Sequence, residues 1–260
     1  MAKLIDKFWN WGHLEGSHNS CTGLDCSMTP EEFAEEFGIR NSFIVSYGGN
    51  IQPPFDGLAK RLSGLREIKW SVLGDASSPL PESELGNTDD ILAVLTDDTN
   101  ITGAVVDDFF SPERMKHFTP EVLKKIKSAL NARNLDFWCV LYEFQLDLEL
   151  EKYIDCFDGI TFWVWRSENI PNCDEYLKRV LELAKGKSVM TGIYVWDWAD
   201  NGGHPMNTAL FEEQLGKYVS NVKNGITDGI VVCSSTLGDA KLETNSVLKA
   251  YIEKYGDTEL

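Results

Sequence analysis

The chain is poor in positive charge. Its 260 residues carry 24 Lys and Arg against 41 Asp and Glu, a formal net charge of −17. Such a surface repels polyanions, which excludes nucleic acid and anionic membranes as partners and disfavours phosphorylated substrates. Long apolar runs are also lacking, and none approaches the roughly 18 residues that a membrane span needs. The opening Met1-Ala2-Lys3-Leu4-Ile5-Asp6-Lys7 has no apolar core of the kind a secretory leader carries. A cytoplasmic protein and a secreted one whose leader has been removed both fit, so localisation stays open, as does oligomeric state.

Other absences narrow the chemistry. The four histidines, His13, His18, His117 and His204, form no i, i+2 or i, i+4 pair, which argues against a zinc site. The six cysteines make no metal motif. Cys139 and Cys233 lie inside apolar runs and read as buried thiols, while Cys21 with Cys26 and Cys156 with Cys173 are spacings that a disulfide permits but does not require. A nucleophilic serine would want a Gly-x-Ser-x-Gly elbow, and there is none. The first strand candidate is followed by Trp11-Gly12-His13-Leu14-Glu15-Gly16, a poor phosphate-binding turn, which argues against an open dinucleotide-binding sheet.

What is present is a regular alternation. Strand-like runs at Leu4–Trp11, Ser42–Tyr47, Ile68–Leu73, Ile101–Phe109, Phe137–Tyr142, Gly159–Trp165, Met190–Trp196 and Gly229–Ser234 are each followed by an amphipathic run. The helices expected are Pro30–Phe37, Phe55–Leu62, Asp89–Leu95, Pro120–Asn131, Leu148–Phe157, Cys173–Ala184, Thr208–Val222 and Glu243–Tyr255. The strands are apolar throughout rather than alternating, as parallel strands buried on both faces are. Thr29-Pro30-Glu31-Glu32 has the residues of a capping box with proline in the first turn. Eight strands and eight helices predict an α/β fold, a (β/α)8 TIM barrel, with residues 1–260 forming one domain.

In such a barrel the active site lies at the C-terminal strand ends. No lysine stands at any of them, which excludes a Schiff-base aldolase. All eight tryptophans fall in or just after a strand. Trp9, Trp70 and Trp138 lie within strands and are read as core. Trp11, Trp163, Trp165, Trp196 and Trp198 lie near the mouth, where indole faces can stack on sugar rings. His13, His18, Tyr47 and Arg166 are expected beside them as substrate-binding groups, and Ser234-Ser235 are expected to bond substrate or loop backbone. Four acids join them: Asp107 and Asp108 after strand four, Glu143 after strand five and Asp197 after strand seven. Strand alternation points one of Asp107 and Asp108 into the mouth. Asp108, one residue further toward solvent, is paired with Asp197 across the mouth as the catalytic couple, with Asp107 and Glu143 as further candidates.

These residues resemble those of the (β/α)8 glycoside hydrolase superfamily, whose largest clan has acids after strands four and seven. Val105-Val106-Asp107-Asp108-Phe109-Phe110 is similar to strand four of uncharacterised bacterial barrels likened to glycosidases. The chain departs from the clan, which carries Asn-Glu after strand four and Glu after strand seven, and it lacks the chitinase-type Asp-x-x-Asp-x-Asp-x-Glu run. The resemblance implies a glycoside hydrolase acting on a carbohydrate substrate with paired carboxylates and no cofactor or metal. Two other classes fit the strand ends: a metal-dependent sugar isomerase or epimerase with Asp107, Asp108, Glu143, Asp197 and His13 around Mg²⁺ or Mn²⁺, and a non-catalytic carbohydrate-binding barrel.

Overall fold

The computed structural model describes residues 2–198 and 202–260. Eight parallel strands close into a barrel. They are β1 (Phe8–Gly12), β2 (Asn41–Ile44), β3 (Glu67–Leu73), β4 (Ile101–Val106), β5 (Asp136–Tyr142), β6 (Gly159–Trp163), β7 (Ser188–Tyr194) and, after an antiparallel hairpin of β8 (Trp196–Asp197) and β9 (His204–Pro205), β10 (Gly229–Cys233). Around the ring the order is β1-β10-β7-β6-β5-β4-β3-β2. The α/β barrel expected from the strand–helix alternation is therefore the fold observed.

Local chemistry accounts for the helices between strands. Thr29 Oγ1 accepts the Glu32 N–H at 3.1 Å, and the Glu32 carboxylate accepts the Thr29 N–H at 2.9 Å, so the capping box forms as read. Helix Pro120–Asn131 turns Val122, Leu123, Ile126 and Leu130 inward, a 3.6-residue stripe. Several elements differ from expectation. Leu4–Lys7, read as the start of the first strand, is a 3-10 turn, and helix Pro112–His117 and the β8–β9 hairpin were not expected. The Leu148–Phe157 run contains only one helical turn, Glu151–Ile154. Strand four stops at Val106 rather than Phe109, because Asp108 takes a left-handed conformation with φ +45°.

The barrel interior is filled with rings, where branched aliphatic residues are the rule. At its lower end the buried Lys69 ammonium bonds both oxygens of Asp136 (2.6 and 2.7 Å) and lies over Trp9 and Trp138, 5.2 and 5.0 Å from their centroids. Above them Phe43 meets Trp9 at 5.3 Å and Trp11 at 5.1 Å, and Trp163 meets Trp11 edge-on at 5.3 Å. Two tryptophans fit because their neighbours across the strands are glycines: the Trp138 indole lies against Gly159 and the Trp163 indole against Gly192. A Cβ on Gly192 would come within 2.0 Å of the Trp163 indole.

Candidate active site

The ends of the barrel strands, and the residues just after them, surround one pocket with a water-accessible volume of about 170 Å³. Its walls are Trp11, His13, His18, Tyr47, Asp75, Asp107, Asp108, Tyr142, Trp165, Tyr194, Trp198 and Cys233. Among the described residues, three carboxyl groups and no lysine or arginine line it.

Asp107 and Asp108 both line the pocket, although strand alternation allows only one of two successive residues to face inward. Alternation ends with the strand at Val106, and the left-handed Asp108 brings the second side chain round. A non-glycine residue in this region is uncommon and concentrates at functional sites. The surroundings hold it there: the Ala76 N–H donates to Asp108 Oδ2 (2.9 Å) and the Tyr142 hydroxyl to Asp108 Oδ1 (2.8 Å). Asp107 is buried, and its Oδ1 accepts the Asp108 N–H at 2.8 Å. Burial first, then the charges of Asp108 and Asp75, push the Asp107 carboxyl well above the ordinary carboxylate range. The Arg114 guanidinium opposes this, but from behind the acids, where it donates to the carbonyls of Gly74 (2.8 Å), Asp107 (2.6 Å) and Asp75. The two neighbouring carboxyls thus differ in their surroundings: burial and nearby negative charge favour the proton on Asp107, while Asp108 accepts two hydrogen bonds from outside the pair.

Asp75 is a third acid that strand-end reading did not single out. Its carboxylate accepts the Gly48 N–H (2.9 Å) and the hydroxyls of Ser78 (2.6 Å) and Ser77 (2.5 Å), so it organises the loops after β2 and β3 while adding negative charge beside Asp107.

Burial disfavours the charged form of both pocket histidines, His13 and His18. His13 Nδ1 lies 2.9 Å from the Val45 carbonyl, which can only accept, so Nδ1 carries the proton and Nε2 a lone pair. Burial lowers its pKa. His18 falls to about 2 through burial and the nearby His13. Its Nδ1 is 2.7 Å from Thr236 Oγ1 and 3.3 Å from Ser234 Oγ. Ser235 donates to the His13 carbonyl at 3.4 Å, so this serine pair braces the first loop. Rings complete the walls: His18 packs 4.8 Å from both Tyr47 and Trp198, and burial raises the Tyr47 hydroxyl to about 12. Cys233 reaches the pocket as a thiol whose ionisation is opposed by burial and by Asp107.

Five expected site residues are not among the pocket walls. Trp163 lies 2% exposed beneath Trp11 and Tyr194, its Nε1 donating to Thr161 Oγ1 at 3.1 Å, so it is floor rather than platform. Trp196 is buried, with Nε1 donating to the Gly202 carbonyl at 3.1 Å. Arg166 points to solvent, 3.6 Å from Glu168. Glu143 is a loop brace: its carboxylate accepts the backbone N–H groups of Trp165 (2.8 Å) and Arg166 (3.3 Å) and the Asn169 amide (2.9 Å). Asp197 turns into the β8–β9 hairpin, buried, with His204 Nε2 at 3.9 Å from its Oδ2. In their place come Asp75, Tyr142, Tyr194 and Cys233. Tyr142 and Tyr194 stand at strand ends, and that position was the signal available for them. All six cysteines are free thiols. Among the described residues no group of three or more His, Cys, Asp or Glu side chains is arranged to hold a metal ion.

No family pattern and no curated protein matches the sequence. Solved structures do resemble it. A GH113 β-1,4-mannanase is similar over 97% of this chain and 99% of its own, with a TM-score of 0.56 and 12% identity. The spore cortex-lytic enzyme of Bacillus megaterium QM B1551 matches over 99% of this chain and 75% of its own, with a TM-score of 0.54 and 10% identity. The tryptophan synthase A-subunit of Pyrococcus furiosus matches over 98% and 99%, with a TM-score of 0.52 and 14% identity. Identities this low show a shared barrel and leave the chemistry to the site, since one barrel hosts many reactions.

Proposed function

We propose that this protein is a glycoside hydrolase for uncharged sugars that works with the Asp107–Asp108 pair. The observation that carries the reading is the divergent environment of these two carboxyls inside one aromatic-walled pocket, because acid–base catalysis on a glycoside needs one carboxyl protonated and one ionised. Asp107 gives its proton to the departing glycosidic oxygen. As that bond breaks, the Asp108 carboxylate stabilises the positive charge growing at the anomeric carbon. Water then adds to that carbon and its proton restores Asp107. The flat faces of Trp11, Trp165 and Trp198 supply stacking surfaces, and His13 Nε2 an acceptor for a sugar hydroxyl. With three acids and no lysine or arginine on its described walls, the pocket repels anionic sugars. Asp197, expected as the partner across the mouth, lies outside the walls, so the working pair is drawn from strand four alone.

The test is hydrolysis of a panel of aryl glycosides and neutral oligosaccharides by the wild type and by Asp107→Asn and Asp108→Asn. Each substitution keeps the shape and removes the proton chemistry. Each is expected to lower kcat at least about 100-fold, the low end of general acid–base contributions. Near-wild-type turnover in both variants would remove the pair from the mechanism.

A further inference from the structure

Phe144 is 58% exposed, the most exposed large apolar side chain among the described residues. A single exposed apolar side chain is ordinary on a protein surface. Phe144 differs in what it touches and in how it is held. Its ring lies parallel to that of Tyr142, with centroids 5.3 Å apart and planes 5° from coplanar. Tyr142 is a wall of the pocket and the hydroxyl donor to Asp108, and it packs edge-on against Trp165, another wall, at 5.6 Å. The aromatic lining therefore continues without a break from the acid pair out to solvent.

The turn that presents Phe144 is fixed on both sides. Glu143 and Gln145 are both buried. The first takes three hydrogen bonds from the segment after β6, and the second accepts the Tyr142 N–H at 3.0 Å. Between these anchors the ring stands outward on a set frame. The pocket itself is ringed by the strand ends. Its water-accessible volume of about 170 Å³ falls below the roughly 300–1,000 Å³ of drug-sized ligand sites, well short of what an extended glycan needs. A chain can enter only end-on, and the units beyond its terminal ring must leave past the rim.

We propose that Phe144 is the platform of an outer subsite, so that the substrate is a neutral oligosaccharide whose end unit fills the pocket while the next ring stacks on Phe144. This rests on the carbohydrate reading above and adds action at chain ends. The free face of Phe144 offers the flat apolar surface that the C–H face of a pyranose takes, and Tyr142 behind it keeps the ring from turning.

The test compares wild type, Phe144→Ala and Phe144→Trp. Binding is read by tryptophan fluorescence with α- and β-linked gluco-, manno-, galacto- and N-acetylglucosamine series of one to four units. The wild type should bind the two-unit member of one series more tightly than the single sugar. Phe144→Ala should lose about 3- to 10-fold in affinity for two units and longer, keep its affinity for one, and Phe144→Trp should restore the loss. Equal affinities of wild type and Phe144→Ala at every length overturn the subsite. So does an equal loss for single sugars, which would make Phe144 a support of the pocket. A wild type that binds no member of any series overturns the carbohydrate reading, and the subsite with it.

Discussion

Asp107 and Asp108 share a side chain and differ only in where the backbone leaves them. Folding puts Asp107 among buried groups and negative neighbours, so it binds its proton more tightly in the folded chain than in the unfolded one. The sign of the pH dependence follows. A carboxyl raised on folding contributes fully below its ordinary value of 3.8, and that contribution is lost as pH rises through the higher folded value. Wild-type Tm should therefore fall relative to Asp107→Asn as pH climbs from about 4 upward, because the amide has no proton to lose. Calorimetry of both proteins from acid to mildly alkaline pH checks this, and a Tm difference independent of pH would mean that Asp107 titrates normally. Activity should decline as pH rises through the same transition, as the proton donor empties. At this scale the sequence was partly legible. The acids after β4 and the rings at strand ends were visible as residue types at known positions. That both acids reach the pocket was not, because it depends on one backbone angle where strand alternation stops. Glu143 was misleading for a related reason: a carboxyl just past a strand can serve the mouth or cap the neighbouring loop, and only the fold of that loop decides.

Elements decide which tryptophans remain for a ligand. Trp163 and Trp165 are two residues apart, yet one lies under the pocket and the other in its wall, because β6 ends between them. The floor position depends on Gly192 in the next strand, which leaves room for the indole. Gly192→Ala should cost about 1–3 kcal/mol as an overpacked core substitution, and the displaced Trp163 should alter near-ultraviolet circular dichroism. Gly216 serves as the control: it lies in helix Thr208–Lys223 with nothing within 4 Å of an added Cβ. Gly216→Ala should gain about 0.5–1 kcal/mol from helix propensity. Denaturant melts of both proteins check the contrast, and equal effects would mean that the Trp–Gly register carries no packing strain. Strand runs were easy to find in the sequence because barrel strands are apolar on both faces. The pairing of large rings with glycines across strands was hidden, since it requires the register that closure imposes. The β8–β9 hairpin was hidden for the same reason: two-residue strands have no periodicity to detect, and it is this hairpin that turns Asp197 away from the pocket walls.

For the molecule as a whole, eightfold alternation sufficed to expect the closed barrel, and closure gathers residues 11 to 233 of the chain into one mouth. The fold then falls silent, because a mannanase, a cortex-lytic enzyme and a tryptophan synthase subunit all share it. The chemistry lies in the pocket, where the described walls carry three acids and no lysine or arginine, inside a chain of net charge −17. The central claim is that a glycosidic bond lies against the strand-four acids. The most direct measurement is a crystal structure of Asp108→Asn soaked with a neutral oligosaccharide that the wild type cleaves, since the slow variant keeps the bond intact. The account predicts a terminal sugar ring inside the pocket, stacked on a wall indole, with its glycosidic oxygen within about 3.2 Å of an Asp107 carboxyl oxygen. A sugar bound elsewhere on the barrel, or seated in the pocket with its glycosidic oxygen out of reach of Asp107, would contradict it.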